Sequence, residues 1–248
     1  MIAFLKLYLV HARLAIVELL RIPAYALPTL ISPVMIYLFF GVPYSKGAMA
    51  ARFLVASYAA FAVIGVALFQ FGVGIAVERV SPWEAYARTL PVPLGVRFLA
   101  RISAALVFAS LSASLVCVTG IVLVHLTLTP LGWLSLAVSL LVGSIVFALI
   151  GISIGYWSDA RAALPVANLV YMPLVFAGGL WLPPQMLPSI VAWISPFTPT
   201  RQYGELVWAS VLGRPLPSAA FVTLAVYACI FASIAAWGYR RDQGLRFS

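Results

Sequence analysis

The sequence predicts an all-α membrane protein. It should have six transmembrane helices, an N-terminal amphipathic interfacial helix and a re-entrant helical hairpin before the last span. Three observations carry that prediction. The 248 residues are 64% hydrophobic and 8% charged, with a mean hydropathy of +1.09, which leaves too few polar groups to cover a soluble globule. Six separate stretches reach the roughly 20 apolar residues that crossing a bilayer requires. The net charge of +9 is spread through short segments beside those stretches, so it reads as a topology signal rather than a nucleic-acid footprint.

The first element is Met1–Arg21. Lys6 and Arg13 are seven apart, as are His11 and Glu18, so with Arg21 they gather on one half of a helix whose other half is apolar. Pro23 ends it. This segment, 1–22, either anchors the chain along a leaflet or also meets a partner there. It does not resemble a secretory signal, because Lys6, His11 and Arg13 interrupt its apolar run.

The spans are Ala24–Val42, Phe53–Val77, Ile102–Leu128, Leu131–Trp157, Ala162–Leu182 and Leu216–Tyr239. Six crossings put both termini on one side. The segments on that side hold eleven Lys and Arg against four, Lys46, Arg52, Arg201 and Arg214, on the other. Both termini are therefore expected in the cytoplasm and the chain in the inner (plasma) membrane, multi-pass, as one domain over 1–248. Cys117 and Cys229 each sit in an apolar run and read as small soft hydrophobes.

The longest cytoplasmic segment, 78–97, opens Glu78-Arg79-Val80-Ser81-Pro82-Trp83-Glu84-Ala85-Tyr86-Ala87-Arg88-Thr89-Leu90-Pro91. Ser81 as N-cap, Pro82 at the first helical position and Glu84 at the third predict a short helix over Pro82–Leu90, closed by Pro91. Its charges and its Trp83 and Tyr86 suit docking into a partner groove, the alternative being a solvated loop that only satisfies the positive-inside preference.

Between the fifth and sixth spans, Gly178-Gly179-Leu180-Trp181-Leu182-Pro183-Pro184 leads to Pro188, and Ser195-Pro196-Phe197-Thr198-Pro199 follows. Prolines so spaced break the backbone repeatedly. Such breaks are tolerated at membrane depth only where the chain is buried in protein or lines a cavity. The segment 183–212 is expected as a re-entrant or surface-lying hairpin on the outer side, with Arg201 and Glu205 neighbours at helical spacing, as a structural pair or an outer gate. Trp181, Trp193, Trp208 and Tyr203 read as an aromatic belt at headgroup level.

Together these features resemble the permease subunits of type-2 ATP-binding-cassette (ABC) exporters. Those subunits have about the same length, an amphipathic N-terminal helix, six spans, a Glu-Arg-bearing first cytoplasmic loop that acts as a coupling helix, and a Gly-hydrophobic-Pro-x-x-x-x-Pro region before the last span. The matching positions here are Glu78-Arg79 with Thr89-Leu90-Pro91, and Gly178, Gly179, Pro183 and Pro188 followed by Pro196 and Pro199. This chain departs from the family in carrying Val80-Ser81-Pro82 after Glu78-Arg79. The resemblance implies a cytoplasmic ATPase subunit engaged through Glu78, Arg79, Pro82, Trp83, Glu84, Tyr86 and Arg88, with a second loop around Trp157, Asp159 and Arg161 as a further contact. It also implies a second permease copy or homologue.

The residues themselves add that no Gly-x-x-x-x-Gly-Lys-Ser/Thr stretch occurs, so nucleotide phosphates have no loop to cradle them. No cofactor is expected in this chain, and ATP and Mg belong to the partner. Catalytic residues and metal ligands are not expected either, since His11 and His125 are the only histidines and no paired carboxylates occur. Nor is a nucleic-acid partner.

In the spans Gln70, Asn168, Tyr171 and Phe176 either line a pathway or serve packing and interhelical hydrogen bonds. Gly72 and Gly74 permit close helix approach, and Pro173 is expected to kink the fifth span. The expected function is export of a hydrophobic or amphipathic compound (drug, antibiotic or lipid-like) by alternating access. The alternatives are a polysaccharide-exporting ABC permease or a proton-coupled secondary carrier, the last disfavoured by the shortage of intramembrane carboxylates.

Overall fold

The computed structural model describes residues 2–82, 86 and 92–246. Among them are nine α-helices and no strand: α1 Ile2–Leu20, α2 Pro23–Ile36, α3 Ala48–Arg79, α4 Leu94–Val124, α5 Pro130–Trp157, α6 Ala163–Ala177, α7 Ser189–Ile194, α8 Pro199–Leu212 and α9 Ser218–Arg246. The helices gather around α3. It is buried over most of its length, packs against α2, α4, α5, α6 and α8, and holds the core residues Tyr58, Ala59, Ile64 and Leu68.

Among the described residues, five helical stretches are long and apolar enough to cross a bilayer: Pro23–Tyr44, Ala48–Arg79, Gly95–Val124, Pro130–Trp157 and Ser218–Gln243. The sixth expected stretch forms a helix only over the 15 residues of α6, about 22 Å at ~1.5 Å per residue against a hydrocarbon core of ~30 Å. Pro173 does not end it; Gly178 and Gly179 do. Gly179 takes φ +77, open to glycine and strained for other residues. A Cβ on Gly178 would come within 2.5 Å of Thr200, so the chain turns there against α8.

Helix α2 carries Pro28 and Pro33 and passes into a π turn over Tyr37–Gly41 and a 3-10 turn over Val42–Tyr44. Pro33 has no N–H for the Thr29 carbonyl, and Ser112 of α4 donates to that oxygen at 3.1 Å. A neighbouring hydroxyl thus satisfies the group the proline frees, which is how proline is accommodated inside apolar helices.

Helix α1 lies against α4, where the Tyr8 and Ser103 hydroxyls meet at 2.6 Å. Its exposed surface carries Phe4, Leu5, Leu9 and Leu14 beside Lys6 and Arg13. The outward faces of α4 and α9 are apolar too, including Leu115, Val118, Val122, Val222, Val226 and Ile230. A surface so extensively apolar needs a nonpolar surrounding.

Three expectations change. Helix α3 extends to Arg79 and α4 begins at Leu94, so Glu78, Arg79 and Arg97 lie on helices rather than in a loop; a terminal Arg is favourable at a helix C-terminus. Gly72 does face Gly151 of α5, but a Cβ on Gly74 would meet nothing within 4 Å, so Gly74 marks no close approach. Tyr203 and Trp208 are 0% and 4% exposed and belong to the core, not to an aromatic belt. Their polar ends find acceptors inside: Tyr203 donates to the Leu140 carbonyl at 3.0 Å and Trp208 to the Ser57 hydroxyl at 2.7 Å. A ring of that size contributes more by burial than at a headgroup level once its donor is satisfied.

The Tyr203 ring occupies the space a side chain at Gly143 would need, with a Cβ there 2.0 Å from ring carbons. Gly143→Ala is therefore expected to displace α8 and cost about 1–3 kcal/mol. Thermal unfolding followed by size-exclusion chromatography checks this.

Candidate functional site

The chemistry-bearing side chains collect at the two ends of the helical array. At the Glu78 end, α3 finishes with Glu78-Arg79. The Arg79 guanidinium donates to Asp242 Oδ1 of α9 at 2.8 Å, to the Tyr156 carbonyl at 3.2 Å and to the Ser158 carbonyl at 3.0 Å. The Arg79 and Asp242 side chains are only 16% and 12% exposed. Tyr156 and Ser158 are at the C-terminus of α5, where helix carbonyls lack intrahelical partners. One arginine thus neutralises a carboxylate on α9, caps α5 and belongs to α3. Beside it Glu78 pairs with Arg101 of α4, and Arg241 of α9 stands over the Trp157 ring, 5.1 Å from its centroid. Four helix ends are fastened at this point.

The expected partner-facing residues therefore divide. Glu78 and Arg79 are engaged within the chain. Pro82 and Tyr86 are exposed. Trp83, Glu84 and Arg88, and with them most of the helix expected over Pro82–Leu90, fall outside the described residues. Asp242 and Arg101 were missed as partners by sequence reasoning. The signal for Asp242 is a lone carboxylate in a basic terminus, next to Arg240 and Arg241.

At the Trp181 end, the proline-rich segment folds as expected into short pieces. A 3-10 turn over Pro184–Met186 follows Pro183, Pro188 precedes α7, Pro196 lies in a 3-10 turn over Ser195–Phe197, and Pro199 is the first residue of α8. Thr198 caps α8 by accepting from the Arg201 amide at 3.2 Å. Thr200 donates to the Leu174 carbonyl of α6 at 2.5 Å. Helix α8 is buried against α3, α5 and α9, so this arm does not lie on the surface; α7, with Ile190 and Trp193 exposed, does.

Arg201 and Glu205 form the expected pair, with nitrogens 2.7 and 2.8 Å from Glu205 Oε1. The guanidinium also stands 5.3 Å from the centroid of the Trp208 ring. The pair sits in the wall of a groove of about 1310 Å³ between the ends of α2 and α3, the end of α6, the Trp181–Met186 segment and α8.

The mid-helix candidates separate as well. The Gln70 side-chain oxygen accepts from the Tyr25 hydroxyl of α2 at 2.7 Å. Tyr171 is buried and donates to the Phe61 carbonyl of α3 at 3.0 Å. Asn168 donates to Leu164 of its own helix at 3.1 Å. Phe176 alone of the four lines the groove.

Residues 8–212 match the family described as ABC-2 type transporter. The chain belongs to that family. It is also similar to a protein of Bacillus subtilis (strain 168) named "Putative transport permease YvfS", with 26% identity over 234 residues that cover 92% of this chain and 95% of the relative. The family match and the apolar helices make the chain a multi-pass membrane transport protein of the permease type. In this permease the matched region takes in both the Glu78–Arg79 junction and the Arg201–Glu205 groove, and stops before α9, which supplies Asp242.

Proposed function

We propose that the permease is the membrane half of an ATP-driven exporter that moves a hydrophobic or amphipathic compound out of the cytoplasm or inner leaflet by alternating access. In this reading α6 together with Gly178–Leu182 forms the fifth of six crossings, with the non-helical part buried against α8 as bilayer depth demands. Helix α1 lies along the inner leaflet, and residues 183–212 form a re-entrant hairpin whose Arg201–Glu205 pair stands at the outer gate. Both termini are cytoplasmic. The ATPase subunit, carrying ATP and Mg, docks at the segment holding Pro82, Trp83, Glu84, Tyr86 and Arg88. A second permease copy or homologue completes the pathway, and the Asn168–Phe176 face of α6 borders it.

The observation that supports this reading best is the junction at Glu78–Arg79. A docking segment that leaves the membrane there is tied at its root to α3, α4, α5 and α9 by ion pairs and carbonyl caps. A push on it reaches four helices at once, without new contacts having to form.

Purification of the permease from its own membrane in mild detergent, with mass spectrometry of what accompanies it, is expected to recover a soluble ATPase in about equal amount. A permease recovered alone, whose transport follows an imposed proton gradient without ATP, would sink the proposal.

A further inference from the structure

The groove at the Trp181 end has the makings of a ligand site. Its volume of about 1310 Å³ exceeds the ~300–1,000 Å³ of drug-sized pockets. Most of its wall is apolar, formed by residues such as Phe40, Phe53, Met172, Phe176 and Leu212. Among the described residues its charges are unbalanced: Lys46, Arg201 and Arg214 border it against the carboxylate of Glu205. Since Arg201 and Glu205 are paired, the net positive charge rests on Lys46 and Arg214, both exposed at the mouth. The Trp181 side chain also borders the groove, and its indole Nε1 is buried with no acceptor, a donor left over where most buried donors are paired.

An apolar slot beneath two exposed cations suits one class of molecule: an amphiphile with an acyl or comparable apolar tail and an anionic head. A neutral hydrophobe would leave the cations unused. A polar anion such as a free phosphate would leave the apolar wall bare. We infer that this groove binds the transported compound on its way out, and that this compound is an anionic amphiphile. The inference deepens the exporter proposal and rests on it only for the ligand's being cargo; the binding itself is independent of it.

The test is direct binding to the purified full-length permease in a non-ionic detergent, with lysophosphatidylglycerol and lysophosphatidylcholine as matched anionic and zwitterionic probes and native mass spectrometry as readout. At about 1 kcal/mol for each basic residue near a charged head, the two free cations should favour the anionic probe by about 30-fold. K46A/R214A should bring the preference close to unity while leaving the folded permease intact, since both residues are exposed. Equal binding of the two probes, or a preference that the double variant keeps, would overturn the site.

A second arm separates cargo from resident lipid: in vesicles holding the permease and its co-purified ATPase, the anionic probe should raise ATP hydrolysis at least several-fold, and less so with K46A/R214A. Anionic binding without that stimulation overturns the cargo assignment and leaves the exporter reading standing. Should a second permease copy fill the groove instead, a thiol reagent would fail to label M186C in the dimer with or without probe, and the site would be withdrawn.

Discussion

Asp242→Asn is expected to lower the stability of the permease by about 2–3 kcal/mol and to be among its most damaging single substitutions outside the central core. The carboxylate is isosterically replaced, so no cavity forms and the loss is electrostatic. Breaking a fully buried ion pair by removing one partner costs ~3–5 kcal/mol, because the remaining charge is stranded. Here the side chains keep 16% and 12% exposure, which discounts that figure. The group that loses this partner is Arg79, whose Nη1 and Nη2 also donate to the Tyr156 and Ser158 carbonyls, which carry no compensating full charge.

Reversing both charges, R79D/D242R, re-forms a pair between α3 and α9 but removes the cap on α5. The rescue should therefore be partial, with a thermal midpoint between wild type and Asp242→Asn. Midpoints read from detergent-solubilised protein by size-exclusion chromatography after heating decide it. A single variant as stable as wild type would mean that the pair contributes no more than an exposed salt bridge does.

Gly151→Leu is expected to abolish accumulation of the folded permease. A Cβ at Gly151 would stand 2.9 Å from the Leu68 carbonyl oxygen and 3.0 Å from that of Ala67, and one at Gly155 would stand 2.9 Å from that of Phe71. These neighbours are backbone atoms of α3, which cannot step aside as a side chain can, so the two helices must separate. With α3 at the centre of the structure, the separation is felt by every helix packed on it. Even alanine should cost about 1–3 kcal/mol by overpacking.

Gly74→Ala provides the opposite sign. It meets open space and should stabilise by up to about 1 kcal/mol through the loss of glycine's unfolded-state freedom. Membrane-fraction yield and thermal midpoint measured side by side test both. Normal yield of Gly151→Leu would show that the α3–α5 contact is not held by close backbone approach.

Much of the molecule was legible in its sequence because bilayer physics imposes long-range regularity. A run of apolar residues must become a helix where no water can satisfy the backbone, so α2, α3, α4, α5 and α9 follow from hydropathy. Prolines cannot continue a helix, so the broken segment after Gly178 follows from Pro183, Pro188, Pro196 and Pro199. The Arg201–Glu205 pair follows from four-residue spacing on one helix.

What failed was pairwise and between elements. The Gly151-x-x-x-Gly155 spacing is a sequence signal of close helix packing, but which helix it meets is set only by the tertiary structure. Tyr203 and Trp208 were placed at headgroup level, because their local sequence looks the same whether the helix floats at an interface or is buried. Where the helix of the fifth expected span ends, at Ala177 rather than Leu182, was also not legible, since composition cannot tell an apolar helix from an apolar turn that follows it.

By itself, then, the sequence determined that this chain is a helical membrane protein with charge gathered at helix ends, because hydrophobicity, helical period and proline chemistry are properties of residues near one another in the chain. Only the tertiary structure decided that Arg79 meets Asp242 across 163 residues, and that Lys46, Trp181 and Arg214 border one groove. The reason is physical: which charges meet, and which glycines must stay bare, depends on how helices far apart in sequence cross, and side-chain packing of the whole array fixes that geometry.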